Sequence, residues 1–430
     1  MSINPLAKKL NDELAVTVVS KLLSKRGTHA FFPTTGILGQ SAQARGKAIN
    51  ATIGTAFEED GSPLTLECLE SMISLPSTSF LYAPSQGNPN LRAQWKTMLS
   101  QKNPGLVGKE FSLPVVSAAL THALYVAAYL FADEGDEIII PDMYWDNYDL
   151  VFTESFGSTF LQYNTFKNGG FDTSALKAAL NASKGPKKTV LLNFPNNPTG
   201  YTVTESEAIE ICAILKQSAE AGNQILVLLD DAYFGLVYES GVAKESLFST
   251  LADLHQNILV AKLDGPTKED YVWSFRVGFM TFAFKGATAA QLAALEAKAA
   301  GVVRGTISNA PGISQELLLK AYQSADYAAQ KQNKYDILQK RYTKIREILS
   351  AHPEYAQSFE PMPFNSGYFM CVKPNGVEAE VVRQELLNNY DTGVIVLSGL
   401  VRLAFSATPF NQLEPLFANL HAAIQKLKSE

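Results

Sequence analysis

Lys268 stands in DGPTKEDYVW, a polar stretch between two apolar runs that reads as an exposed loop, and Arg276 follows eight residues later at the head of RVGFMTFAF. Upstream lie Asn197 in NNPTG (196–200) and Asp230 with Tyr233 in DDAY (230–233). A lysine amine bonds covalently to an aldehyde. A carboxylate keeps a ring nitrogen protonated and so able to accept electrons. Tyrosine and asparagine side chains hydrogen-bond a phenolate, and an arginine clamps a phosphate. These five types at the loop ends of an α/β pattern are what pyridoxal phosphate requires.

Each residue also has a plainer reading. Lys268 alone is a solvated loop lysine, as most lysines are. Asp230 or Asp231 is equally an N-cap, and Asn197 in NPTG is equally a turn residue. Trp145 in YWDNY is either core or a flat face for a heterocycle. Thr121, after VVSAAL, is either an ordinary cap or a hydroxyl beside backbone amides that hold an anion. Arg402 in the apolar run VRLAFSA either binds a carboxylate bidentately or makes an ion pair on an edge strand.

The elements that must position these groups follow an alternating pattern. Short apolar runs at 113–118, 136–141, 159–163, 188–194, 224–230, 257–263 and 276–284 read as strands, with helical stretches at 121–132, 174–182 and 205–221 between them. The expected fold is α/β, a large domain with a mostly parallel seven-stranded sheet covered by helices and ligands beyond the strands' carboxyl ends. A helical stretch at 313–350 is followed by GYFMCVK, a helix around 378–389, then VIVL and VRLAFSA, an α+β pattern that predicts a smaller domain. Leu6, Leu10, Leu14 and Val18 at four-residue spacing predict an amphipathic helix over 6–23. Residues 27–65 read as an extended arm. The expected division is 1–60 (helix and arm, packing with the small domain), 61–312 (large domain) and 313–430 (small domain).

Composition excludes other classes. With 430 residues and a formal charge of −6, the chain is long enough for a large core and is not suited to nucleic acid or an anionic membrane. Cys68, Cys212 and Cys371 are too few and too scattered for a disulfide framework, which suits a reducing cytoplasm. No secretory signal and no membrane span are read in the sequence. The five histidines lack metal-ligand spacing, and no GxGxxG follows a strand.

The order Tyr82, Thr121, Trp145, Asn197, Asp230, Tyr233, Lys268, Arg276, Arg402 resembles the fold-type I pyridoxal-phosphate aminotransferases, in particular the aspartate and aromatic amino-acid group. The resemblance runs from about residue 31 to about 410 and includes GILGQ and INATIGTAFEEDG. It implies that Lys268 forms the Schiff base and moves the proton, that Asp230 pairs with the pyridine nitrogen, and that Tyr233 and Asn197 bind the phenolate. Trp145 would stack on the ring. Arg276, Thr121 and the backbone of Leu120 would hold the phosphate, with Tyr82 from the other subunit of a homodimer. Arg402, with Asn197, Trp145 and Gly54, would hold the substrate α-carboxylate. Arg304, in VVRGTISNAP, would reach across the dimer to a side-chain carboxylate.

The activity so implied is a ping-pong transfer of an amino group from aspartate, glutamate or an aromatic amino acid to a 2-oxo acid such as 2-oxoglutarate. The alternatives are another reaction on the same cofactor (β-lyase or decarboxylase) and a non-catalytic regulatory module. Two positions depart from the family pattern. Ala119-Leu120-Thr121 stands where a Ser-Gly-Thr-like turn is usual, and Gly265 stands where a serine precedes the lysine by three. Thr267 and Ser117 are the hydroxyls available to substitute.

Overall fold

The computed structural model describes residues 3–15, 23, 27–29, 36–70, 75 and 77–429. All seven runs predicted as strands form one sheet, from Val115–Ser117, Glu137–Pro141, Thr159–Tyr163, Lys187–Asn193, Gln224–Asp230, Ile258–Asp264 and Gly278–Phe284. In space their order is 115–117, 278–284, 258–264, 224–230, 187–193, 137–141, 159–163. Only 278–284 runs antiparallel to its neighbours. Continuous apolar runs form these strands because both sheet faces are covered. Alternate residues go to separate cores: Val190, Leu192, Val227 and Leu229 face one, Leu191, Leu226 and Leu228 the other.

Helices Thr173–Ala182 and Glu205–Glu220 cover the first face, and Ala119–Phe131 with Ala289–Ile307 the second. The second of these opens on a reciprocal cap between Thr204 and Glu207, which satisfies two otherwise free amide donors. A four-stranded antiparallel sheet, ordered 359–361, 369–374, 400–404, 395–397, carries helices Ala379–Asn389 and Leu413–Ser429.

The expected continuous helix over 313–350 is two helices, Gly312–Gln323 and Tyr327–Ala351, parted where Ser324 turns extended. Its first half packs with Leu91 and Trp95 and its second with Leu416 and Phe417. At the start of the chain the helix is Pro5–Leu14, with the Asn4 side chain accepting from the Leu6 amide. Residues 16–22 of the predicted helix, Val18 among them, and the side chain of Leu10 lie outside the described residues, as do 30–35 of the predicted arm. Ile49–Asn50 pairs in parallel with Thr392–Gly393 in a separate two-stranded ladder, joining the arm to the C-terminal part of the chain. Among the described residues no helix is long and apolar enough to cross a membrane.

Candidate functional site

The loops after the carboxyl ends of the large sheet's strands meet the small sheet around a cleft of about 200 Å³. Lys268 lies on its wall, on the short helix Pro266–Glu269. The sequence placed this lysine in an exposed loop; it is half-buried. The reason is non-local. Glu269 and Asp270 are buried by Lys102 at 2.9 Å, by Lys331 at 2.7 and 2.8 Å, and by the hydroxyls of Tyr322 and Tyr327. The Tyr368 hydroxyl donates to the Lys268 carbonyl at 2.7 Å. Burial drives the Lys268 amine down to about 8, with Arg276 adding to the effect and Asp230 opposing it. The amine sits 5.2 Å from the centre of the Tyr233 ring.

Asp230 ends its strand fully inside the protein, and no helix starts there for it to cap. Its carboxylate accepts from the Tyr148 hydroxyl at 2.7 Å and from the Ala232 amide at 3.0 Å. Burial raises its pKa even so, against these two bonds and the pull of Lys268. A protonated ring nitrogen is the partner that restores such a carboxylate to its charged form. Asn193 braces the same region, donating to the Asp230 carbonyl at 2.7 Å and accepting from the Asn197 amide at 2.7 Å.

At the other end of the cleft, Ala119 turns the chain from strand to helix with φ of 63°. The helix it opens has no side-chain cap, so the amides of its first turn are free for an anion. Leu120, Thr121 and Arg276 line this end. Of the two substitute hydroxyls, Ser117 is spent on the Ala119 carbonyl at 2.9 Å. Thr267 Oγ1 is buried on the cleft wall and, among the described residues, has no hydrogen-bond partner. A β-carbon at Gly265 would sit 3.0 Å from Gly278 Cα and the Val277 carbonyl, so a serine there would need the neighbouring backbone to give way. Gly278 in turn lies so close to Ala119 that a β-carbon would meet its backbone at 2.6 Å.

Arg402 occupies an interior strand, Leu400–Ala404, rather than an edge. It is 2% exposed. Its guanidinium donates to Asn197 Oδ1 and to the Thr52 carbonyl, each at 3.1 Å, and lies 4.2 Å from the centre of the Phe369 ring. Among the described residues Nε has no hydrogen-bond partner, so the guanidinium has a donor free for a carboxylate. Gly54 and Trp145 complete this side. The orphaned Thr267 hydroxyl and Arg402 Nε, with Asp230 short of a cation, fit a phosphorylated pyridine cofactor and a carboxylate substrate.

Two predicted residues stand apart. Tyr82 is 92% exposed, and Arg304 is exposed on the last turn of Ala289–Ile307; neither lines the cleft. Sequence reasoning missed Tyr148 and Asn193. The first was signalled by its position one helical turn after Trp145 in YWDNY; the second gave no signal apart from ending an apolar run.

The chain matches the family model described as aminotransferase class I and II over residues 57–420. A probable aspartate/prephenate aminotransferase of Aquifex aeolicus is 28% identical over 248 residues, 58% of this chain and 60% of that protein. An aspartate aminotransferase of Bacillus sp. strain YM-2 is 28% identical over 199 residues, 46% of this chain and 47% of that protein. The chain thus spans about half to three-fifths of these relatives' length. A crystal structure of an aminotransferase from Anaerococcus prevotii superposes with a TM-score of 0.83 at 22% identity, covering 93% of this chain and 98% of that one. Aspartate aminotransferase from Thermus thermophilus with maleate gives 0.73 at 18% identity, covering 93% and 99%. At these identities the likeness shows the fold, a fold-type I arrangement.

Proposed function

Because the chain belongs to the class I and II aminotransferases, a family that depends on pyridoxal phosphate, we propose that it moves an amino group from an L-amino acid to a 2-oxo acid by a ping-pong sequence. The donors considered are aspartate, glutamate and the aromatic amino acids, with 2-oxoglutarate as an acceptor. One observation carries the reading. A half-buried amine held near pKa 8, a buried carboxylate whose pKa burial raises and a buried guanidinium whose Nε is unpartnered among the described residues converge on one cleft.

When bound, pyridoxal phosphate supplies an aldehyde and an electron-accepting ring. Lys268 is the amine that would hold the cofactor's aldehyde, and it is placed to move the proton at the substrate Cα. Asp230, braced by Tyr148, holds the ring nitrogen charged; Tyr233 and Asn197 bind the phenolate, and Trp145 packs on the ring. Thr121, the Leu120 amide and Arg276 hold the phosphate. Arg402 fixes the α-carboxylate, with Asn197 and Gly54 beside it, which orients the Cα–H bond.

The proposed organisation is a cofactor-bearing unit at 61–312 and a smaller unit at 313–430 joined by 1–60, with Gly312–Gln323 as the connecting element. The exposure of Tyr82 and Arg304 supports a homodimer in which each enters the other subunit's site. Cytoplasmic residence is part of the same proposal.

Thr267→Val is expected to weaken pyridoxal phosphate binding about tenfold, the worth of one hydrogen bond to a charged group, while Thr267→Ser retains it; equilibrium dialysis of the cofactor reads both. The activity is tested with a panel of amino donors and 2-oxoglutarate, following glutamate formation against release of ammonia, pyruvate or carbon dioxide. Glutamate as the product supports transfer, and the other products mark a lyase or decarboxylase. In the same assay Arg304→Leu is expected to lower aspartate turnover about tenfold to a hundredfold relative to an aromatic donor. Equal losses reject the role given to Arg304.

A further inference from the structure

His122 follows Thr121 at the phosphate end of the cleft but does not itself line it. Its ring joins two elements. Nδ1 accepts from the Ala118 amide at 3.1 Å, and Nε2 meets Thr306 Oγ1 at 2.9 Å, on the last turn of Ala289–Ile307. A backbone amide can only donate, so Nδ1 carries no proton and Nε2 does. Thr306 Oγ1 therefore accepts from the ring, and its own hydrogen goes to the Val302 carbonyl at 2.8 Å. Both ring nitrogens are thus assigned and the imidazole is neutral. Burial, which lowers the ring's pKa, favours the same state.

What the ring holds is the turn from strand to helix. Ala119 has φ of 63°, a left-handed backbone that an alanine adopts only at a cost, so its surroundings must impose it. Two hydrogen bonds flank that residue. Ser117 Oγ donates to the Ala119 carbonyl at 2.9 Å on one side, and the Ala118 amide donates to His122 on the other. The amide that His122 takes belongs to the residue before the helix, so the first-turn amides stay free, where an ordinary side-chain cap would occupy one of them. We infer that His122 is a positioning residue for the phosphate: as a fixed neutral tautomer it locks the Ala118–Ala119 backbone in the shape that turns the helix's first amides toward the cleft. This rests on the cofactor reading above and adds to it a residue that never touches the cofactor.

The test compares pyridoxal phosphate with pyridoxal, which has the same aldehyde and ring but no phosphate, by equilibrium dialysis against the cofactor-free protein. His122→Leu offers no acceptor and is expected to weaken pyridoxal phosphate about threefold to thirtyfold, the range for a buried amide left unpaired, and pyridoxal less than about twofold. His122→Asn sets an amide oxygen where Nδ1 stands and is expected to restore most of the loss. An equal fall for both compounds, or no recovery in His122→Asn, overturns the role while leaving the cofactor reading intact. Nitrogen NMR of the histidine rings in the unmodified holoprotein gives a second measurement that needs no variant to fold. His122 is expected to show a bare Nδ1 and a protonated Nε2 near neutral pH, and the opposite tautomer or a doubly protonated ring overturns the inference. Unmodified protein that binds pyridoxal phosphate no better than pyridoxal removes the cofactor reading, and this inference with it.

Discussion

Lys268→Ala is expected to abolish amino transfer together with the near-visible absorbance of the lysine-linked cofactor, and borohydride will then fix no cofactor to the chain. The loss of positioned proton transfer alone accounts for about a hundredfold to ten-thousandfold in rate. The geometry adds a second signature. With its pKa lowered to about 8 by burial, about a tenth of the amine is neutral at pH 7, against less than about a thousandth for an ordinary lysine. Cofactor capture by the unloaded protein should therefore quicken as pH rises toward 8 and then level off. Capture that still climbs steeply above pH 9, or a label on another side chain, rejects Lys268 as the tether.

Arg402→Met is the second large effect. Arg402 is a buried cation whose other guanidinium nitrogens are held by Asn197 and the Thr52 carbonyl, while among the described residues Nε makes no hydrogen bond. Removing one member of a buried charge pair costs about 2–5 kcal/mol, which corresponds to a drop in kcat/KM of about thirtyfold to several thousandfold. The loss should fall alike on every donor, because all share the α-carboxylate, and cofactor affinity should change little. A variant that loses its cofactor instead would place Arg402 in the fold rather than in substrate binding.

The large sheet was legible because its strands are buried on both faces, so runs such as KTVLLNF and QILVLLD are apolar throughout. Ala289–Ile307 was harder to see. Its buried face is Leu292, Ala299, Ala300, Val302 and Val303, and alanines inside and outside the face leave little contrast. The site's chemistry was legible where a reactive residue closes an apolar run, as Asp230 does. It was not legible where the decisive partner is distant in sequence. The acids after Lys268 suggest a solvated loop until Lys102 and Lys331 are placed on them. The choice of Thr267 over Ser117 depends on which hydroxyl is already occupied.

That pair of acids has a mechanical consequence. Lys331 belongs to Tyr327–Ala351, whose far end packs with the smaller sheet's helices, yet its ammonium grips Glu269 and Asp270. The pedestal of the reactive amine is thus riveted to a lever reaching into the other half of the molecule. If the smaller half rocks, it must either drag Lys268 along or break both of Lys331's charged contacts.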